Sequence, residues 1–319
     1  MKKIFLILAI AVSIPVYSFG QNPGKTLTLK TSTATPNASI SADVEATVVT
    51  NQMMITFMHR MKSGNFAEAK QIAMDMIKDN EKYQDTPTKE FRTFATLMEK
   101  KYYDVILARE GRKSEVTWLS QPISDGYYFL AMVAFQENKP GEALSFLQKA
   151  ISWNPVHSPF YAERGFMLLH QEQRPDLAMV LVAYLRALEL ADNYVDFASA
   201  LRGIGFIMVE KGDLEGALAC YLRSKLYDPS DKAAEKEISY IKSLAPGIGK
   251  DLDGTKAVEI LKKLRIPSGI DSTHVQVLLA IAEDLKKANK LKEERAILKR
   301  AEALDSKNQE IKRRLGGIK

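Results

Sequence analysis

The sequence contains a single cysteine, Cys220, so no disulfide forms within one chain and the fold must stand on packing. Glycine and proline are scarce, at 17 and 12 of 319 residues, which excludes a loop-rich or collagen-like chain. Sustained alternation of β-branched residues is missing, as is any Asn-Gly or Asp-Gly hairpin signal between apolar runs. Beyond the N-terminus no segment is long and apolar enough to span a bilayer. The histidines, His59, His157, His170 and His274, lie far apart and none has a metal-ligand spacing. GxSxG and HExxH are absent, and PGIGKD at 246–251 lacks the GxxxxGK[ST] spacing of a phosphate loop. The reading is therefore of a non-enzyme, with no catalytic residue, metal or cofactor. The paired acids Glu283-Asp284 and Glu293-Glu294 are expected on exposed helix surface, diverging by about 100°. Cys220, beside Tyr221 in a helical run, is expected as a buried thiol.

What is present is an ordinary globular composition, 46% hydrophobic and 26% charged. Lys2 and Lys3 precede an apolar run from Ile4 to Tyr17, and Ser18-Phe19-Gly20 offers small residues at −3 and −1. Residues 1–20 are thus expected to be a secretory signal peptide; fourteen apolar residues interrupted by Pro15 are too few for a spanning helix. The expected location is exported and periplasmic, with secretion or peripheral outer-membrane association as alternatives. Residues 21–45, rich in Thr and Ser, read as a flexible tether.

From about residue 46 the pattern is helical and repeats near every 34 residues. Segment 198–231 carries Leu201, Ile204, Gly205 and Met208, a Gly212-Asp213 turn, then Ala217, Tyr221, Ser224 and Pro229. Segment 124–157 repeats this with Tyr127, Leu130, Ala131, Ala134, Ala143, Leu147, Ala150 and Pro155. Segment 275–308 does so with Leu278, Ile281, Ala282, Leu285, Leu298, Ala301 and Ser306. The small residues let paired helices approach closely. Segments 50–80, 158–192 and 232–267 follow more loosely, the last around a Pro246–Gly249 turn. Segment 87–123 departs most: one long helix (Phe91, Phe94, Leu97, Tyr102) is expected, then an irregular stretch around Trp118 and Pro122.

In these positions the chain resembles the tetratricopeptide repeat family. The resemblance implies an all-α fold, a right-handed α-solenoid of stacked antiparallel helix pairs, spanning 46–231 and a basic C-terminal part with cap at 232–319. It also implies a scaffold whose first helices line a concave groove. Carrying the groove positions across gives Tyr128, Met132, Phe135, Phe166, Leu169, His170, Arg202 and Phe206. Such an apolar strip suits the face of a partner helix or peptide. Packing between adjacent repeats is the other reading of the same residues.

Residues 232–319 carry a formal charge of +7, against −3 over 21–231. The densest cluster is Lys286, Lys287, Lys290, Lys292, Arg295, Lys299 and Arg300, followed by Lys312, Arg313 and Arg314. It suits peripheral contact with an anionic membrane or an acidic partner. Acidic neighbours such as Glu283 and Glu294 favour the plainer reading of a solvated face on a terminal repeat. No aromatic residues interleave the cluster, so no nucleic-acid partner is expected. The preferred function is an exported protein-interaction scaffold of an envelope or secretion complex. The alternatives are a self-associating structural subunit and a degenerate glycan- or peptide-processing enzyme.

Overall fold

The computed structural model describes residues 52–171 and 175–317; the expected signal peptide (1–20) and tether (21–45) lie outside the described residues. The chain is an all-α solenoid of helix pairs. It opens with α1 (52–62) and α2 (Phe66–Met76). After an inserted segment come α4 (Ile123–Gln136) with α5 (Pro140–Trp153), α6 (Ser158–Leu169) with α7 (Leu177–Leu190), and α8 (Tyr194–Glu210) with α9 (Leu214–Tyr227). Then follow α10 (Lys232–Leu244), α11 (Gly254–Lys263), α12 (Ser272–Lys287), α13 (Leu291–Leu304) and α14 (Gln309–Gly317). No helix among the described residues is long and apolar enough to cross a membrane.

The turns make the repeat visible in the backbone. In four pairs the second residue after the first helix adopts a left-handed conformation: Gly64, Asn138, Gly212 and Asn289. The next amide then bonds back five residues, as in Lys139 N to Ala134 O, Asp213 N to Met208 O and Lys290 N to Leu285 O, each 2.9 Å. This satisfies carbonyls that the helix end would leave bare. The second helices also end alike, with Asn154, Asp228 and Asp305 at φ −135, −132 and −140°. Pro155, Pro229 and Ser306 follow, so the sequence position of the proline is a fixed corner of the backbone.

Ala131, Ala143 and Ala217 are fully buried, consistent with close helix pairs. The tightest approaches involve glycines. The ring of Tyr184 on α7 lies between Gly165 of α6 and Gly203 of α8; a Cβ on Gly165 would sit 2.7 Å from the ring, and one on Gly203 would also overlap it. Gly205 faces Tyr221 more loosely, at 3.1 Å. One hydrophobic cluster joins α1, α2, α4, α5 and α6 around Phe57, Phe129 and Leu147; a second joins α7 to α11 around Phe197, Leu201 and Ile204.

Segment 87–123 is not one long helix. Phe91 lies on β1 (Lys89–Arg92), Phe94 in a loop, and α3 (Leu97–Arg109) starts at the Thr96 N-cap. A second strand, β2 (Glu115–Trp118), pairs with β1 in parallel, Phe91 opposite Thr117. Parallel pairing requires a crossover, and α3 supplies it. Buried Glu90 ties the unit together, accepting from Tyr103 Oη (2.6 Å), Arg92 Nη2 (2.7 Å) and Arg112. The unit docks on the array through Thr93 N to Trp153 O (3.0 Å) and Ser124 N to Thr93 Oγ1 (3.2 Å).

The C-terminal helices fold back onto this insertion. Tyr102 of α3 stacks on His274 of α12 at 4.3 Å, and Arg109 Nη2 donates to Thr273 Oγ1 at 2.8 Å. A third apolar cluster joins α3, α12, Ala301 and Ile311 to Val156 and Leu190 at the inter-repeat corners. Arg300 pairs with Asp192 (2.7 Å), and the Tyr194 hydroxyl donates to the Ala303 carbonyl. Glu294 is not on exposed surface: it is buried, accepting from Arg314 of α14 at 3.0 Å, because α14 covers that face of α13. Glu283 lies 3.6 Å from the same guanidinium.

Candidate functional site

The first helices of three consecutive pairs, α4, α6 and α8, lie side by side, with α6 packed against both neighbours' pairs. Seven of the eight positions singled out in the sequence are half-buried there, Tyr128, Met132, Phe135, Phe166, Leu169, Arg202 and Phe206, and His170 is exposed. Tyr128, Met132, Phe135, Leu169 and Phe206 pack on the core clusters while remaining partly open. Phe135, Phe166 and His170 form one aromatic group across α4 and α6, with centroids 5.6, 4.1 and 6.3 Å apart. His170 Nδ1 donates to the Phe166 carbonyl at 2.8 Å, which fixes the imidazole against the ring. Tyr128 packs on Phe160 at 5.3 Å. Arg202 is engaged elsewhere: it pairs with Asp231 at 2.7 Å and approaches Asp228 at 3.9 Å, bracing α8 on the α9–α10 corner.

Toward the N-terminal ends of the same helices the surface turns from aromatic to ionisable. His157, just before α6, places Nδ1 2.6 Å from Glu99 Oε1. The other Glu99 oxygen accepts from Asn154 Nδ2 (2.8 Å) and the Ala95 amide (2.7 Å). Burial opposes charge on both groups, yet each compensates the other: Glu99 is held below its ordinary range and His157 is raised to about 9. The pair is a carboxylate and an imidazolium at neutral pH.

Two more carboxyls, Asp125 and Asp196, act on His157 electrostatically. Burial pushes Asp125 of α4 up to about 6 and Glu163 of α6 up to about 7. Asp196 of α8 is also raised by burial, against an opposing hydrogen bond from Asn193 Nδ2 at 2.7 Å. Asp125 and Glu163 have no hydrogen-bond or ion-pair partner among the described residues. Tyr128 is raised well above its ordinary value by burial and then by the nearby charges of Glu163 and Asp125.

The sequence pattern did not single out these groups. Glu99 and His157 are 58 residues apart and meet only because the β1–α3–β2 insertion docks at the α5–α6 corner. Asp125 and Asp196 sit in first helical turns, where acids are common for helix-dipole reasons and attract no notice. Cys220 is fully buried, and its thiol is pushed up to about 12 by burial, so it carries no thiolate. Among the described residues no three His, Cys, Asp or Glu side chains are grouped as metal ligands.

Residues 124–157, which are α4, α5 and the Asn154-Pro155 corner, match the tetratricopeptide repeat family model. Among solved structures, the chain is similar to the C-terminal part of a TPR repeat-containing protein from Cytophaga hutchinsonii. The identity is 13%, with 82% of this chain and 98% of that one covered and a TM-score of 0.35. No curated protein matches the sequence.

Proposed function

We propose that the chain is a non-catalytic scaffold that holds a segment of a partner polypeptide, an apolar helix or peptide, against α4, α6 and α8. The observation that carries this is the row Met132, Phe135, Phe166, Leu169 and Phe206, half-buried on three adjacent first helices and open on one side. Large apolar side chains fixed by core packing lose little entropy when a ligand covers them, which favours binding. The tetratricopeptide match over 124–157 supports a protein partner, since the groove-forming helix α4 lies within it. The N-terminal pattern of Lys2, Lys3 and the Ile4–Tyr17 run supports export, and with it a partner in the cell envelope.

Affinity capture of the tagged, exported chain from its own envelope tests this reading, beside Phe166→Ala, Phe206→Ala and Val182→Ala. Val182 is 65% exposed on α7, a second helix, and serves as the control. The reading expects proteins retained by wild type and Val182→Ala and lost from both phenylalanine variants at unchanged helicity. Recovery of the chain alone from every bait would favour self-association instead. Export is checked by the mass of the mature N-terminus, expected to begin at Gln21.

A further inference from the structure

The basic cluster near the C-terminus changes character once its acidic neighbours are located. By helical spacing Glu283 would partner Lys287, and Glu294 would partner Lys290. In the fold neither carboxylate serves them. Glu294 is buried and accepts from Arg314 Nη2 at 3.0 Å, and Glu283 lies 3.6 Å from the same nitrogen. Asp284 is held by Lys101 of α3 at 3.1 Å. Arg300 also turns inward, to Asp192 at 2.7 Å. The ammonium groups of Lys286, Lys287, Lys290, Lys292 and Lys299 are left with no hydrogen-bond or ion-pair partner among the described residues. Lys290 is half-buried and the other four are exposed.

These cations form a face. Lys292, Arg295 and Lys299 fall within a sector of about 60° on α13, along about 10 Å of its axis. All three are exposed, as are Ala296 and Ala303 beside them, so only small side chains stand between the charges. Glu293 and the half-buried Glu302 border the sector, about 100° and 80° round the helix from Lys292. Lys286, Lys287 and Lys290 continue the positive surface onto the α12–α13 turn, where Asn289 has a φ of 56°. The first residue of α13, Leu291, is 46% exposed among these lysines. A large aliphatic side chain open to solvent inside a ring of unpaired cations is explained neither by packing nor by solvation.

We propose that this face, the α12–α13 turn with the stripe of Lys292, Arg295 and Lys299, docks on an anionic phospholipid bilayer, with Leu291 entering the headgroup layer. Lipid phosphates supply the complementary charge, and each lysine near such a surface contributes about fivefold in affinity. An aliphatic side chain at the rim adds shallow insertion, which a bilayer accepts anywhere along its plane. An acidic polypeptide fits less well. Protein interfaces centre on aromatic or arginine anchors packed in a desolvated core, and no aromatic residue occurs between 286 and 303. This docking is independent of the groove reading and uses a different part of the array.

The test is sedimentation of the exported chain with vesicles of phosphatidylglycerol and phosphatidylcholine, beside vesicles of phosphatidylcholine alone. Binding is expected to the anionic vesicles only, and to be lost between about 0.1 and about 1 M salt as the screening length shrinks from about 10 to about 3 Å. Lys286→Gln/Lys287→Gln/Lys292→Gln/Lys299→Gln should weaken it about tenfold or more at an unchanged melting temperature. The control Lys62→Gln/Lys70→Gln/Lys78→Gln/Lys113→Gln removes the same charge from exposed positions elsewhere and should bind as wild type does. In Leu291→Trp the new indole should shift to the blue on binding and be quenched by brominated acyl chains. Absence of binding to the anionic vesicles, or equal weakening by both quadruple variants, would overturn the assignment. Binding without quenching of the new indole, or equally tight binding to soluble polyglutamate, would also overturn it, the latter in favour of an acidic polypeptide.

Discussion

At the scale of single residues, the groove depends on what lies behind it. Tyr184 reaches between α6 and α8 only because Gly165 and Gly203 carry no side chain. Gly203→Ala is expected to cost about 1–3 kcal/mol by overpacking, measured by urea unfolding, since the ring is pinned on both sides and cannot swing away. An unchanged midpoint would contradict the packing described. Protonation at the groove sets a pH dependence of known sign. His157, Asp125 and Glu163 all bind their protons more tightly when folded, with values raised to about 9, 6 and 7. Each contributes stability fully present below its unfolded value and lost as pH rises through the folded one. Glu99 is the opposite case: its contribution is present above the ordinary carboxylate value and lost as pH falls below it. Unfolding measured at pH 5.5 and pH 9.5 should therefore show the chain more stable at the lower value, and Glu99→Gln/His157→Gln should flatten the alkaline limb. Rising stability toward pH 9.5 would contradict the charge states assigned here. Gly205 and the small positions at Ala131 and Ala217 were legible in the sequence through their regular spacing. Gly203 and Tyr184 were not, because an inter-repeat contact leaves no local period.

At the scale of elements, the repeat is written in turns as much as in apolar faces. Gly212 announces its turn openly, whereas Asn138 and Asn289 do the same work under a side chain that tolerates the left-handed region. Asn138→Ala should destabilise by about 1 kcal/mol, and Asn138→Gly should be within a few tenths of wild type in the same unfolding assay. Equal stability of the two variants would mean that the turn is not held as described. Sequence pattern reached the helix pairs because each is a local unit with its own stripe and corner. The β1–α3–β2 insertion escaped it for a physical reason. Each strand is only four residues long, and its partner lies across a whole helix, so neither alternation nor a turn residue marks it. Glu294 escaped for a similar reason: its partner Arg314 sits on a different helix, and the face α14 covers is polar enough in sequence to pass for surface.

At the scale of the whole molecule, the array departs from a simple row in which each repeat touches only its neighbours. Lys101 and Asp284 pair at 3.1 Å across 183 positions, Arg109 and Thr273 across 164, and Arg300 reaches back to Asp192. These contacts brace the C-terminal helices against α3 and the α7–α8 corner, and they occupy part of the basic cluster. Hydrogen exchange should accordingly show 272–317 protected together with α3 in wild type. Tyr102→Ala should expose both segments while α4–α9 keep their protection; exposure of 272–317 alone would contradict the bracing. The face of α4, α6 and α8 lies apart from these bracing contacts. The central claim, that this surface is where another polypeptide lies, is tested most directly by placing a photo-crosslinking phenylalanine analogue in turn at Met132, Phe206 and Val182 and irradiating intact cells. The account predicts adducts with a second protein from positions 132 and 206 and none from 182. Adducts from 182 alone, or only with further copies of the chain, would contradict it.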